Sequence, residues 1–138
     1  MRKRTRAREF ALQVLYQIDL TGDKYTQALD NFWQAHSEDK IAPEVKIFTE
    51  ELVGGATGNL ETIDAMISKY ATNWQLKRMA VVDRNILRMS CFELVFRGDI
   101  PPKVSINEAV ELAKRFSGLE AGKFVNAILD KVKAEKEK

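Results

Sequence analysis

"VSINEAVELAKRFSG", residues 104–118, is the stretch that decides the fold. Ser105 and Glu108 stand at the S-x-x-E spacing of a capping box, in which each side chain satisfies a backbone N–H that the first helical turn leaves open. Val104 and Ala109 occupy the apolar staple positions around it. Gly118 stops the pattern, so the stretch reads as one helix whose two ends are both encoded locally.

The same helical period continues in both directions. Ala7, Phe10, Ala11, Val14, Leu15 and Ile18 follow the i, i+3, i+4, i+7 rule, which predicts a helix over 5–20 that stops near Gly22. Tyr25, Ala28, Leu29, Phe32, Trp33 and His36 extend the spacing through a second helix over 24–37. Pro43 suits a first helical turn and opens residues 43–70. Phe48, Leu52, Ile63, Met66, Ile67 and Tyr70 supply apolar faces there, while Gly54, Gly55 and Gly58 weaken the middle and leave open whether it is one helix or two. A short turn is predicted over 74–79. Asp83 then stands where it can cap the helix "RNILRMSCFELVFR", which Gly98, Pro101 and Pro102 stop. The last helix carries Val125, Ile128, Leu129 and Val132 at helical spacing, and "KAEKEK", 133–138, reads as a fraying end. No segment alternates like a strand. The prediction is an all-α chain forming one domain over residues 1–138, with about seven helices and with residues 1–4 and 134–138 flexible.

Composition narrows the function classes. Nearly half of the residues are apolar and 30% are charged, the balance of a globular protein. No apolar run nears the roughly 18 residues of a membrane-spanning helix, and the first residues are charged where a secretory signal is apolar, so the expected location is the cytoplasm. Cys91 is the only cysteine and lies among apolar neighbours, and His36 is the only histidine, which leaves no zinc-ligand set and no nucleophile–base pair. "VGGATGN", 53–59, lacks the Lys-Ser/Thr ending of a phosphate loop and has no strand before it; its glycines read as sites of close helix packing. Glu50 and Glu51 are adjacent and diverge around a helix, the wrong arrangement for an acid–base pair. No catalytic constellation, metal site or cofactor is predicted.

Charge points to binding instead. Arg2, Lys3, Arg4, Arg6 and Arg8 fall within the first eight residues, leaving 17 basic against 20 acidic residues in the remainder. The net charge of +2 is therefore a basic arm on a mildly acidic body, the pattern of a nucleic-acid or anionic-surface binder. Arg4 and Arg8, four apart, lie near one edge of the first apolar stripe and reach a common surface, while Arg6 projects elsewhere. Tyr16 falls roughly 160° from the stripe's centre and points outward, where it can anchor a protein partner. A second candidate surface is "AGKFVN", 121–126, at the opening of the last helix. There the dipole and open N–H groups favour an anion, Lys123 adds charge, Phe124 can stack on a base and Asn126 can read a base edge.

These residues also carry a family resemblance. "AREFALQVLYQ" at 7–17, "VDRNILRMSCFEL" at 82–94, "IPPKVSINEAVELAKRFS" at 100–117 and "GKFVNAILDKV" at 122–132 together resemble the NusB family of bacterial transcription antitermination factors, in order and spacing, over residues 5–132. The resemblance implies a non-catalytic helical protein. Its members pair with ribosomal protein NusE, bind single-stranded boxA RNA of ribosomal RNA leader transcripts and help RNA polymerase resist termination within an antitermination complex. It assigns RNA contact to Arg4, Arg6, Arg8, Lys123, Phe124 and Asn126, and NusE contact to Tyr16, Asp83 and Arg84. Monomer and homodimer both stay open for the free chain. One departure is Thr5, which interrupts an arginine cluster that is unbroken in many relatives and reads here as a helix cap. The rival reading is a helical protein–protein adaptor with no specific RNA recognition.

Overall fold

The computed structural model describes residues 2–137 and contains seven α-helices and one short 3-10 turn among them. It divides between Gly58 and Asn59 into two compact units. The first holds α1 (Lys3–Thr21), α2 (Tyr25–Ala35) and α3 (Pro43–Gly58). The second holds α4 (Leu60–Tyr70), the 3-10 turn (Leu76–Arg78), α5 (Val81–Phe96), α6 (Pro102–Phe116) and α7 (Leu119–Lys136).

In the first unit α1 packs chiefly on α3, with α2 against both. Ala7, Phe10, Ala11, Val14 and Leu15 are buried as the stripe predicts, and they meet Val45, Phe48, Leu52, Val53 and Ala56 of α3. Thr49 donates its hydroxyl to the Val45 carbonyl at 2.7 Å and lies 3.4 Å from the Ala7 carbonyl, so even its polar atom is accommodated where α3 crosses α1. Pro43 is the first residue of α3, as its fixed φ favours. A Cβ on Gly54 would stand 3.4 Å from the Tyr25 ring, an ordinary contact, and one on Gly58 would meet nothing within 4 Å, so the close helix packing expected of these glycines is not required at either position. The two-helix alternative holds for 43–70: α3 stops at Gly58, and Asn59 leaves helical geometry at φ −122°, ψ 25° before α4 begins.

In the second unit α5 is the central element and packs on α4, α6 and α7. Its run Asn85, Ile86, Leu87, Met89, Ser90, Cys91, Phe92, Glu93 and Leu94 is buried on nearly every side, which a helix tolerates only when neighbours cover all of it. The polar members are bonded inward. Asn85 donates to the Val81 carbonyl at 2.9 Å, and Arg88 grips Asp64 of α4 through two contacts of 2.8 and 3.0 Å. Burial pushes the Cys91 thiol up to about 12, consistent with a packing role.

Four local expectations change. Pro101 and Pro102 start α6 three residues before the predicted cap, because proline is preorganised for the first helical turn. Ser105 thus lies inside the helix, buried, and donates to Glu93 Oε1 at 2.9 Å instead of capping. Asp83 does not cap α5 either; the helix begins at Val81 after Ala80, and Asp83 falls in its first turn. Thr5 is inside α1, whose N-cap position is Arg2 with no side-chain cap bond. Finally, α7 runs on to Lys136, and Glu135 accepts from Lys69 Nζ at 2.7 Å and from the Tyr70 hydroxyl, tying the end of α7 to α4. Helix α1 likewise includes residues 3 and 4 of the segment expected to be flexible; Met1 and Lys138, the outermost residues of those segments, lie outside the described residues.

Candidate nucleic-acid interface

The basic arm is helical from Lys3 onward, with the Arg6 N–H bonded to the Arg2 carbonyl at 3.0 Å. Its side chains are held against rings. The Arg4 guanidinium lies 4.5 Å from the centre of Phe48, and the Arg6 guanidinium 5.0 Å from Phe10. Phe10 in turn packs edge-on to Phe32 at 5.3 Å and Trp33 at 6.1 Å, which fixes the platform beneath Arg6. Lys3 pairs with Glu44 at the start of α3, and this contact holds the Glu44 carboxyl below its ordinary value.

Arg8 does not take the predicted place. It is 2% exposed, with its guanidinium 5.4 Å from the same Phe48 ring that carries Arg4. The fourfold spacing does bring Arg4 and Arg8 to one partner, but that partner is a core phenylalanine and not a shared outer surface. Arg8 is thus built into the packing of α1 on α3, while Arg4 remains exposed. Tyr16 is 39% exposed on α1, pointing outward as its helical angle requires.

The second unit presents a different site. Lys123 and Phe124 line a hollow of about 610 Å³ together with Trp74, Arg78, Asp83 and Glu120. Its walls come from the segment before α5, the first turn of α5 and the opening of α7. Gly118 makes the last of these possible: at φ 113° it reverses the chain between α6 and α7, and its N–H closes on the Ala113 carbonyl at 3.0 Å. Because α7 begins at Leu119, its open N–H groups precede the Gly122 N–H, which already bonds to the Gly118 carbonyl at 3.2 Å. Lys123 therefore sits in the second turn, and its anion affinity rests on the ammonium, 3.5 Å from Glu120, more than on the helix end. Phe124 is half-buried with part of its ring open, and Asn126 is exposed but outside the hollow.

The hollow brings Asp83 beside Lys123 and Phe124, although the resemblance assigns them to different partners. Asp83 Oδ1 is enclosed and has no hydrogen-bond partner among the described residues, which leaves it in want of a donor. Arg84 turns inward, its Nη1 3.5 and 3.4 Å from the carbonyls of Leu76 and Lys77 in the 3-10 turn. Trp74 and Arg78 were not foreseen as site residues. The signal available was an aromatic residue followed closely by two cations, in "WQLKR" at 74–78.

Comparison with known proteins gives the family. The NusB family model matches residues 5–134. The chain belongs to the NusB family. The transcription antitermination protein NusB of Anaeromyxobacter sp. Fw109-5 is 49% identical over 96% of this chain and 90% of its own, and that of Bacillus subtilis is 45% identical over 96% of each. Among solved structures, Thermotoga maritima NusB superposes with a TM-score of 0.86 at 37% identity, covering 96% of this chain and 91% of that one. A NusB crystallised with NusE and double-stranded RNA superposes with a TM-score of 0.87 at 30% identity, covering 98% of both chains. The all-α class predicted from the helical spacing, and the NusB fold that the resemblance implies, are therefore those of the chain.

Proposed function

We propose that this chain is a non-catalytic transcription antitermination factor that binds RNA together with ribosomal protein NusE. Its RNA is the boxA element of ribosomal RNA leader transcripts, taken as a single strand, and the assembly helps RNA polymerase in the cytoplasm resist termination. The observation that carries the coarser part of the reading, NusE and RNA as partners, is the likeness, over 98% of both chains, to a NusB held in a complex with NusE and double-stranded RNA. Exposed Arg4 and half-buried Arg6, together with Lys123, supply phosphate contacts, which give salt-sensitive affinity. Phe124 supplies stacking and Asn126 a base-edge contact, which give selectivity. Arg8 serves the arm from beneath. Tyr16 and Asp83 form the NusE contacts, a donor from NusE satisfying the Asp83 oxygen that lacks one, and Arg84 holds the 3-10 turn that precedes α5.

The test is a titration of the chain, with and without NusE, against boxA RNA, its scrambled counterpart and its duplex form at several salt concentrations. Preference for single-stranded boxA, strengthened by NusE, is the expected result. Equal binding of all three RNAs in both states would leave only an adaptor. Sedimentation of the free chain over a concentration series separates monomer from homodimer.

A further inference from the structure

Trp74 stands apart from the chain's other tryptophan. Trp33 is half-buried in a ring cluster and donates its indole N–H to Glu50 at 3.1 Å, so its environment is complete. Trp74 is 55% exposed, on a segment ordered by backbone bonds from Trp74 N–H to the Ala71 carbonyl at 3.1 Å and from Arg78 N–H to the Gln75 carbonyl at 2.9 Å. The residue is thus presented by a structured turn.

It is also presented to a particular place. Trp74 and Arg78 line the hollow that holds Phe124 and Lys123, so two aromatic side chains and two cations, from segments about fifty residues apart in the chain, surround one space of about 610 Å³ together with the carboxylates of Asp83 and Glu120, the latter 3.5 Å from Lys123. That volume lies in the range of a small-ligand site. Trp74 and Arg78 also line an adjoining hollow of about 540 Å³ with Thr72, Asn73 and Gln75, which makes them the partition between two neighbouring spaces. Aromatic faces interleaved with cations are what a single strand requires, because each base offers a π-face and each linkage a negative charge.

We propose that Trp74 is a second stacking wall of the RNA site. One unpaired nucleobase enters the hollow that Trp74 and Phe124 line, Arg78 and Lys123 hold the phosphates flanking it, and the neighbouring nucleotide lies in the adjoining hollow beyond Trp74. A paired base has its edge and both faces occupied, so this site selects single-stranded over duplex RNA. The inference rests on the RNA reading above and adds two residues to it, with a physical reason for its single-strandedness.

The experiment uses the full chain with NusE and a boxA oligonucleotide. In a Trp33→Phe background Trp74 is the sole tryptophan, and its emission is quenched in proportion to bound RNA. Trp74→Ala weakens RNA binding by about 10- to 100-fold, the cost of one base–aromatic stack, without changing the salt slope. Trp74→Phe recovers most of that loss, and Arg78→Ala lowers the slope by about 0.7, one phosphate contact on a single strand. NusE affinity of the Trp74 variants stays at the parent value, which reports that they are folded. If Trp74→Ala binds RNA like the parent while Phe124→Ala does not, the inference is overturned and the RNA reading stands. If the parent with NusE binds no RNA, both fall. If Trp74→Ala loses NusE but keeps RNA, the hollow serves protein and the inference is overturned. Should it lose both, an absence of quenching in the single-tryptophan chain overturns it, and quenching supports it.

Discussion

Arg4 and Arg8 share a ring and should nevertheless respond oppositely to substitution. Arg8→Met keeps an unbranched stem in the packing between α1 and α3 and removes only the guanidinium, which lies 5.4 Å from Phe48 at 2% exposure. A desolvated cation–ring contact contributes about 2 kcal/mol, so urea denaturation should report a loss of at least that size. Arg4→Ala removes an exposed contact to the same ring and should cost no more than about 1 kcal/mol. RNA binding reverses the order. Loss of one phosphate contact lowers the salt slope by about 0.7 for Arg4→Ala, while Arg8→Met leaves the slope unchanged under conditions where the chain is folded. A variant at Arg8 that flattens the salt dependence without lowering the urea midpoint would refute the assignment of Arg8 to the core.

Three further outcomes follow from particular contacts. Ser105→Ala removes a hydrogen bond to the buried Glu93 side chain and should lower the unfolding free energy measured in urea by about 1.5–3 kcal/mol; Ser105→Asp should be worse still, whereas at a true helix cap it would rescue. Cys91, buried and with its thiol raised to about 12, should resist iodoacetamide at pH 8 in the native chain and react fully in urea, so rapid native alkylation followed by mass spectrometry would contradict its packing. The Lys3 contact lowers the Glu44 pKa in the folded chain from an ordinary 4.5, so its stabilisation is present above that value and lost as pH falls through the lower folded one. An NMR titration of the Glu44 carboxyl should show this, and Lys3→Met should return it toward the ordinary value.

Periodicity carried most of the fold because helical burial is a local property: the stripe from Ala7 to Leu15 and that of α7 are buried as read. Helix starts were less legible. Two prolines outweighed the Ser105–Glu108 pattern, since a fixed φ sets the first turn whatever lies three residues on. Arg8 was misplaced for a related reason. Angular position says which side of a helix a residue takes, but not how wide the covering element is, and Phe48 of α3 extends the core over that edge. Trp74 escaped notice because it lies outside any periodic run, in a turn whose neighbours in space belong to α5 and α7.

The inward reach of Arg84 has a consequence for how this surface would be charted by mutation. Its Nη1 contacts hold the 3-10 turn on which Arg78 is carried and which Trp74 closely precedes. Replacing Arg84 would loosen that scaffold and dim RNA and NusE signals together. A scan scored by lost function alone would then merge that loosening with any contact Arg84 itself makes to NusE.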